Sequence, residues 1–434
     1  MQNQRTARRR EARSRRGWPA WPLGLAAALL TALLSMAPTS AMADDACPAV
    51  GSWLEPATGQ AVPWPELVDR LATKQVVLLG ESHPNAEHHR WQLQVLAALQ
   101  ARRPDLVVGF EMLPRGAQPA LDRWSQGDLG AEDFLREVNW DAVWGYDADL
   151  YLPLFHFARM HRLPAVGLNV DRGLIRQVSE LGWAGVATAD RQGVGDPAPA
   201  SDAYKRSLAD VFAEKRRQGV IRRQDADEAS EPAQTETADR EAVISEILAE
   251  PRFVRFVEAQ QTWDRAMAEA LASAHGRPGK PLAVGIMGTG HAEFGYGVPH
   301  QLADLGLAEV AVLLPVSIEE ACQDLPMDLA DAVFVIDPPA SAVTAKPRLG
   351  VIIEAADGGL RVNQVLPDSV AAATGLKTGD LIVEAAGFAV RRPADLIAII
   401  TRQAPGTWLP LTVQRDGAAS ELVARFPQGF GAGE

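Results

Sequence analysis

Five short apolar runs constrain this chain more than any other feature: KQVVLLG at 74–80, DLVVGFEML at 105–113, LPAVGLNV at 163–170, LAVGIMG at 282–288 and EVAVLLPV at 309–316. Each is continuous rather than alternating, as a strand reads when helices cover both of its faces. The segments between them carry helical spacing; in 88–99, His88, Trp91, Gln92, Val95, Leu96 and Leu99 fall on one stripe. Strand, helix, strand repeated in this way predicts an α/β fold, a parallel sheet flanked by helices. Residues 114–161 depart from the pattern, with consecutive helices and no strand, and predict a helical subdomain inserted after the second run. Residues 188–242 turn polar and read as a surface excursion, partly disordered, with one helix near 203–217. A long helix from Glu241 follows, broken before Pro251.

The polar residues of these runs collect at one end. Glu81 and His83 follow the first run, Glu111 closes the second, Asn169 and Arg172 follow the third, and Thr289 and His291 follow the fourth. Beyond the carboxyl ends of parallel strands such residues converge on a crevice. Glycines accompany every one of these ends, which permits close backbone approach. The quartet Glu81, His83, Glu111 and His291 has the ligand chemistry for a divalent metal holding an activated water, with Arg172 placed to stabilise an oxyanion. In LLGESHPNAEHHR (78–90), Pro84 is expected in the first helical turn, with His83 at the helix start, His88 turned inward with the apolar stripe and His89 exposed. The spacing from His83 to Glu87 and His88 is one residue too long for the zinc-protease pattern H-x-x-E-H, and no G-x-S-x-G elbow is present.

The C-terminal eighty residues begin a new core pattern. Leu349-Gly350-Val351-Ile352, the segment VLPDSVAAATGLKTGDLI from Val365 to Ile382, the turn at Gly387 and a helix from Pro393 to Arg402 resemble a PDZ domain along its whole length. That resemblance implies a protein partner whose C-terminal carboxylate is caught by backbone amides at Leu349, Gly350, Val351 and Ile352 through strand addition. The expected organisation is a signal peptide at 1–43, an α/β domain at 44–325, a Pro/Ala/Ser-rich linker at 326–345 and the PDZ domain at 346–427.

Seven arginines precede the apolar run PLGLAAALLTALLSMA and the small-residue site Ala41-Met42-Ala43, which together read as an export signal cut before Asp44. SRRGW at 14–18 resembles a twin-arginine signal, and Sec export stays open beside it. The expected location is therefore the periplasm or envelope of a bacterium. Asp44 and Asp45 stand where a lipobox needs small and apolar residues, which argues against a lipid anchor at Cys47. Removing 1–43 leaves 35 basic and 54 acidic residues, a net charge of −19, which disfavours nucleic acid as a partner. Cys47 and Cys322 are then the only cysteines, enough for one disulfide in an oxidising compartment.

LLGESHPNAEHHRWQLQVLAAL, GFEMLPRGAQPALDRW, YLPLFHFARMHRLPAVGLNVDR, FVEAQQTWDRAMAEAL and MGTGHAEFGYGVPHQL resemble, in that order, the ChaN family of haem-binding bacterial envelope proteins over about residues 65–320. The strand ends also resemble the related Tiki-type metalloproteases and erythromycin esterases. The ChaN resemblance implies haem as cofactor and a role in iron acquisition, a binding function rather than an enzyme; the alternative is a metal-dependent hydrolase built on the same rim. Haem needs an axial ligand, an apolar slot and cationic partners for its propionates. Tyr146 and Tyr151 in an aromatic segment that also holds His156 and His161, Tyr296 after the fourth run, His88 and His291 are the candidate cofactor contacts, with Arg172 as a cation. The choice among them, and whether two copies form a homodimer around haem, stays open.

Overall fold

The computed structural model describes residues 47–217, 237–337 and 347–428. The expected signal peptide, the middle of the polar excursion and the second half of the expected linker lie outside the described residues.

The chain opens with a short antiparallel pair, β1 (Trp53–Glu55) and β2 (Gln60–Ala61), followed by α1 (Trp64–Leu71). β3 (Val76–Glu81), α2 (Ala86–Arg102) and β4 (Leu106–Pro114) make the first strand-helix-strand unit. The helical insertion comprises α3 (Gln118–Gln126), α4 (Ala131–Glu137), α5 (Trp140–Val143) and α6 (Leu152–Met160), and leads into β5 (Ala165–Asn169). Next come α7 (Arg172–Leu181), α8 (Asp202–Arg217), α9 (Thr237–Ala249) and α10 (Pro251–His275), with Pro251 opening α10 where the break was expected. β6 (Leu282–Gly288), α11 (Val298–Asp304), β7 (Val310–Ser317), α12 (Ile318–Ala321) and β8 (Ala332–Ile336) complete the α/β part.

The sheet has eight strands in the order β2-β1-β8-β7-β3-β6-β4-β5. Six are parallel, and β1 pairs antiparallel with β8. β8 corrects the expectation of a linker over 326–345: its AVFVI run is as apolar as the other strands and is held between β7 and Trp53-Leu54 of β1. The continuous apolar runs serve two cores. Val77, Leu79, Val108, Phe110, Val284 and Ile286 face the layer of α1, α2 and the helical insertion, while Val76, Leu78, Val107, Ala283 and Met287 face the layer of α10 and α11. Alternate residues of one strand thus bury on opposite faces.

Two local expectations change. The stretch 188–201 runs over the surface but is pinned at several points: Val194, Ala198 and Ala200 are buried, and the Ala198 carbonyl accepts from Gln261 and Gln301. From it α8 buries Tyr204, Leu208 and Phe212 in a small core with α9 and Phe253. In α2, helix geometry begins at Ala86 with Asn85 as N-cap, so Pro84 precedes the helix. The buried stripe runs through His89, in phase with Gln92 and Leu96 and 3% exposed, while His88 is half-buried.

The C-terminal part is a six-stranded antiparallel sheet of β9 (Val351–Ala356), β10 (Gly359–Val365), β11 (Leu381–Ala385), β12 (Phe388–Ala389), β13 (Trp408–Arg415) and β14 (Ala418–Arg425). With them go two helices, α13 (Val370–Thr374) and α14 (Pro393–Thr401). Leu360, Ile382, Leu396, Leu411 and Val413 form its own core. Among the described residues no helix is long and apolar enough to cross a membrane. Cys47 and Cys322 are joined in a disulfide.

Candidate functional site at the strand ends

Sheet order explains why the four sets of polar residues meet. β3, β6, β4 and β5 are consecutive neighbours and parallel, so their carboxyl ends lie side by side although their sequences are up to two hundred residues apart. Over these ends opens a cavity of about 820 Å³ lined by Glu81, His83, Glu111, Asn169, Arg172 and His291, with Trp144, Tyr146 and Trp263 as aromatic walls. The site is the topological crevice of an open α/β sheet.

Its ionisable groups fall into two hydrogen-bonded sets. In the first, His83 Nδ1–H donates to Glu81 Oε1 at 2.7 Å, and the Tyr151 hydroxyl lies 3.4 Å from the same oxygen and 3.2 Å from the His83 carbonyl. Glu81 is 2% exposed, and its Oε2 has no hydrogen-bond partner among the described residues, leaving acceptor capacity toward the cavity. Burial opposes protonation of His83, yet the Glu81 hydrogen bond and the charges of Glu111 and Glu81 outweigh it and raise its pKa. In the second set, His291 Nδ1–H donates to Asp264 Oδ1 at 2.6 Å, and the Tyr204 hydroxyl donates to Asp264 Oδ2 at 2.7 Å. His291 Nε2 lies 3.6 Å from Glu111 Oε1, and Glu111 Oε2 accepts from the Gly288 amide at 2.6 Å. Burial again works against the charge, but Glu111 and Asp264 prevail and lift the His291 pKa to about 9. At neutral pH this ring is an imidazolium with both nitrogens protonated.

Glu81, His83, Glu111 and His291 come together on one rim as two pairs, Glu81 with His83 and Glu111 with His291, and Glu81 Oε2 keeps acceptor capacity toward the cavity. Among the described residues no group of three or more His, Cys, Asp or Glu side chains is arranged to hold a metal ion. With Nδ1–H held by Asp264, only Nε2 of His291 faces Glu111, and a metal or iron bound there would have to displace its proton. Gly288 shows why a glycine belongs at this strand end: a Cβ there would stand 2.9 Å from His83 Cε1 and 3.7 Å from Glu111 Oε2.

The candidate haem contacts separate by location. Tyr146 lines the cavity, is 39% exposed and has its ring centroid 5.1 Å from that of His83. Tyr151 is fully buried beneath, where burial and the Glu81 charge raise its pKa well above the ordinary tyrosine value. Tyr296 packs against Phe294 and the α8 core and does not line the cavity. His88 also stays outside; its Nδ1 accepts from the Ser82 amide, which requires the neutral ring, and burial lowers its pKa to about 4. His89, expected on the surface, is instead a brace: Nε2–H donates to the His83 carbonyl at 3.0 Å, and its ring packs on Tyr151. His156 and His161 pack against Trp124 and Phe157, away from the cavity.

Besides the wall residues Trp144 and Trp263, Asp264, Tyr204 and Lys215 carry charge or a hydroxyl and were not singled out from sequence. Asp264 is fully buried in the middle of α10, and its signal is an acid on the heptad-spaced apolar stripe Val257, Asp264, Leu271. Tyr204 and Lys215 come from α8, in the stretch read as a polar excursion. Asn169, noted at its strand end, proves to be an organiser: Nδ2–H donates to the Glu111 carbonyl, and Oδ1 accepts from Trp263 Nε1–H.

In the C-terminal sheet, Gly350 has φ of 81°, and a Cβ there would collide with Ser369, so the turn into β9 requires glycine. β9 is the terminal strand of its sheet, and Ile352 on it and Ile397 on α14 are 50% and 54% exposed. Leu349 is a core residue, 2% exposed, so only its backbone is available there.

A family model described as haem-binding uptake, Tiki superfamily, ChaN matches residues 67–302, and a PDZ domain model matches residues 347–424. No curated protein matches the chain. Among solved structures, ChaN of Campylobacter jejuni, determined for its cofacial haem binding, is similar at 18% identity over 65% of this chain and 95% of its own, with a TM-score of 0.47. The HtrA-type protease AlgW with a decapeptide is 25% identical over 18% of this chain and 28% of its own, with a TM-score of 0.18. The HtrA3 PDZ domain bound to a phage-derived ligand is 21% identical over 18% of this chain and 84% of its own, with a TM-score of 0.17. The ChaN match spans more than half of the 434 residues and encloses all four strand ends of the cavity: the chain belongs to the ChaN haem-binding uptake family of the Tiki superfamily and carries a C-terminal PDZ domain.

Proposed function

We propose that this chain is an exported haem-binding protein of bacterial iron acquisition whose PDZ domain recruits a protein by its C-terminus. The observation that carries the reading is the strand-end cavity with a single partly exposed tyrosine among its lining residues, Tyr146. The residues fit the group. A phenolate is a suitable axial ligand for ferric haem; Trp144 and Trp263 supply apolar walls, and Arg172 supplies a cation whose only hydrogen bond among the described residues is a long one to the Trp144 carbonyl. Bound haem would supply the iron centre. The chain's own residues orient the ligand, with His83 held by Glu81 beside Tyr146 and His291 held as a cation by Asp264 and Glu111.

Export is supported by the expected signal sequence and by the Cys47–Cys322 disulfide, which suits an oxidising compartment. With its sulfur in that bond, Cys47 has none to give to a lipid thioether. The PDZ reading is supported by the edge position of β9, the glycine turn at Gly350 and the exposed Ile352 and Ile397, which together suit a peptide added as a strand with an apolar final residue.

The test is titration of the mature chain with haemin, following the Soret band. Wild type and Tyr151→Phe are expected to show a saturable shift that Tyr146→Phe loses. A wild type with no saturable shift would refute the haem reading, and an unchanged spectrum in Tyr146→Phe would refute the ligand.

A further inference from the structure

We propose that Lys215 is a second carboxylate anchor of the strand-end cavity, acting with Arg172 to select a ligand that carries two carboxylates on an apolar body. The inference rests on the haem reading and names how the two propionates are held.

Lys215 sits on the last turn of α8 and lines the cavity. The other cations of this helix are paired: Lys205 with Asp202 at 3.1 Å, Arg206 with Glu241 at 3.2 Å, Arg216 with Glu250 at 2.7 Å and Arg217 with Glu214 at 2.5 Å. Lys215 alone among them faces the cavity, and it makes no ion pair among the described residues; its ammonium lies 5.0 Å over the Phe256 ring. Burial lowers its pKa, the consequence of a partly desolvated cation without a carboxylate beside it. Arg172 has the same character, reaching only the Trp144 carbonyl at 3.4 Å.

A half-buried cation without a counter-charge is a cost that an incoming anion relieves, and the relief is largest for a carboxylate taken into the same partly desolvated wall. The surface beside Lys215 is apolar: Leu208 and Val211 of the same helix line the cavity, and Val211 is 41% exposed. Cation and apolar wall on one helix suit an amphipathic anion, and the second cation at Arg172, on a different element, suits a second carboxylate. A porphyrin with two propionates has that chemistry. A neutral macrocycle would leave both cations unpaired.

The test compares haemin with haemin dimethyl ester, whose carboxylates are masked, by Soret titration and tryptophan quenching of the mature chain. Wild type is expected to bind the ester about tenfold more weakly or worse, the range of one charge-assisted contact. Lys215→Gln should lose a similar factor for haemin and little for the ester, and Lys215→Arg should restore most of it. Equal affinity of wild type for haemin and its ester would overturn the anchor while leaving the haem reading standing, and this comparison needs no variant to fold. Unchanged haemin affinity in Lys215→Gln would overturn it too. Absence of any saturable haemin binding by wild type would sink both readings.

Discussion

Replacing Asp264 by asparagine isolates the charge that organises the second half of the site. Asparagine keeps an oxygen for His291 Nδ1–H, but it removes one of the two carboxylates that hold the ring as a cation. The folded pKa of His291 is about 9 against an ordinary value of 6.5, a difference worth about 3 kcal/mol of stability. Because the folded value is the higher one, the stabilisation is complete below about pH 6.5 and is lost as the pH rises through about 9. Urea denaturation between pH 6 and 10 should therefore show wild type losing stability across that window, with Asp264→Asn less stable by about 2 kcal/mol at pH 7 and losing less above it, since Glu111 still faces the ring. Tryptophan fluorescence reports the relevant part of the molecule, since eight of the nine tryptophans after residue 43 precede residue 326 and only Trp408 lies in the PDZ domain. The subtraction of the two curves removes other groups that titrate in the same range, including His83. NMR of histidine Cε1, assigned with His291→Gln, reads the same pKa directly. A wild-type curve with the same pH dependence as Asp264→Asn, or a His291 that titrates below pH 7, would refute the two-carboxylate account.

Further outcomes follow from the same geometry. Gly288→Ala puts a methyl group 2.9 Å from His83 Cε1, so the ring must move off Glu81; a loss of about 1–3 kcal/mol in stability and weaker haemin binding are expected, and wild-type values for both would contradict the close approach. Replacing Cys47 and Cys322 together by serine removes a link across 275 residues and should cost about 2–5 kcal/mol in the same denaturation assay, whereas an unchanged midpoint would show the bond to be inert. For the PDZ domain, fluorescence anisotropy of labelled peptides ending in valine should show binding that C-terminal amidation abolishes and Ile397→Asp weakens about tenfold. Amidated and free peptides binding alike would rule out carboxylate capture at Gly350.

The resemblance to ChaN and PDZ rested on local motifs, and those survive because strand ends and turns are short-range features. Continuous apolar runs require cover on both faces, so the parallel sheet, the helical insertion and the position of Glu81, His83, Glu111 and Arg172 at strand ends could all be read before any coordinate. The strand AVFVI was missed because a proline- and alanine-rich tail follows it, and its partners, β7 and β1, lie at opposite ends of the domain. His88 and His89 exchanged roles because the buried face is wide enough to include Gln92 and Leu96, three and seven residues after His89, so at the first turn it falls on His89 rather than His88.

What the sequence determined by itself is chemistry at the level of residue type and strand position: which acids, histidines and arginine reach the rim, and that one disulfide is available. What only tertiary structure decided is how those groups are partnered. Asp264, sixty residues after Tyr204 and twenty-seven before His291, holds the Nδ1 side of that histidine, and Glu111 and Asp264 together raise its pKa to about 9. Tyr151 and Tyr146, five residues apart in one aromatic segment, end respectively beneath the floor and on the wall of the cavity. Burial and pairing depend on which elements the fold brings side by side, and neither spacing nor composition within one segment carries that information.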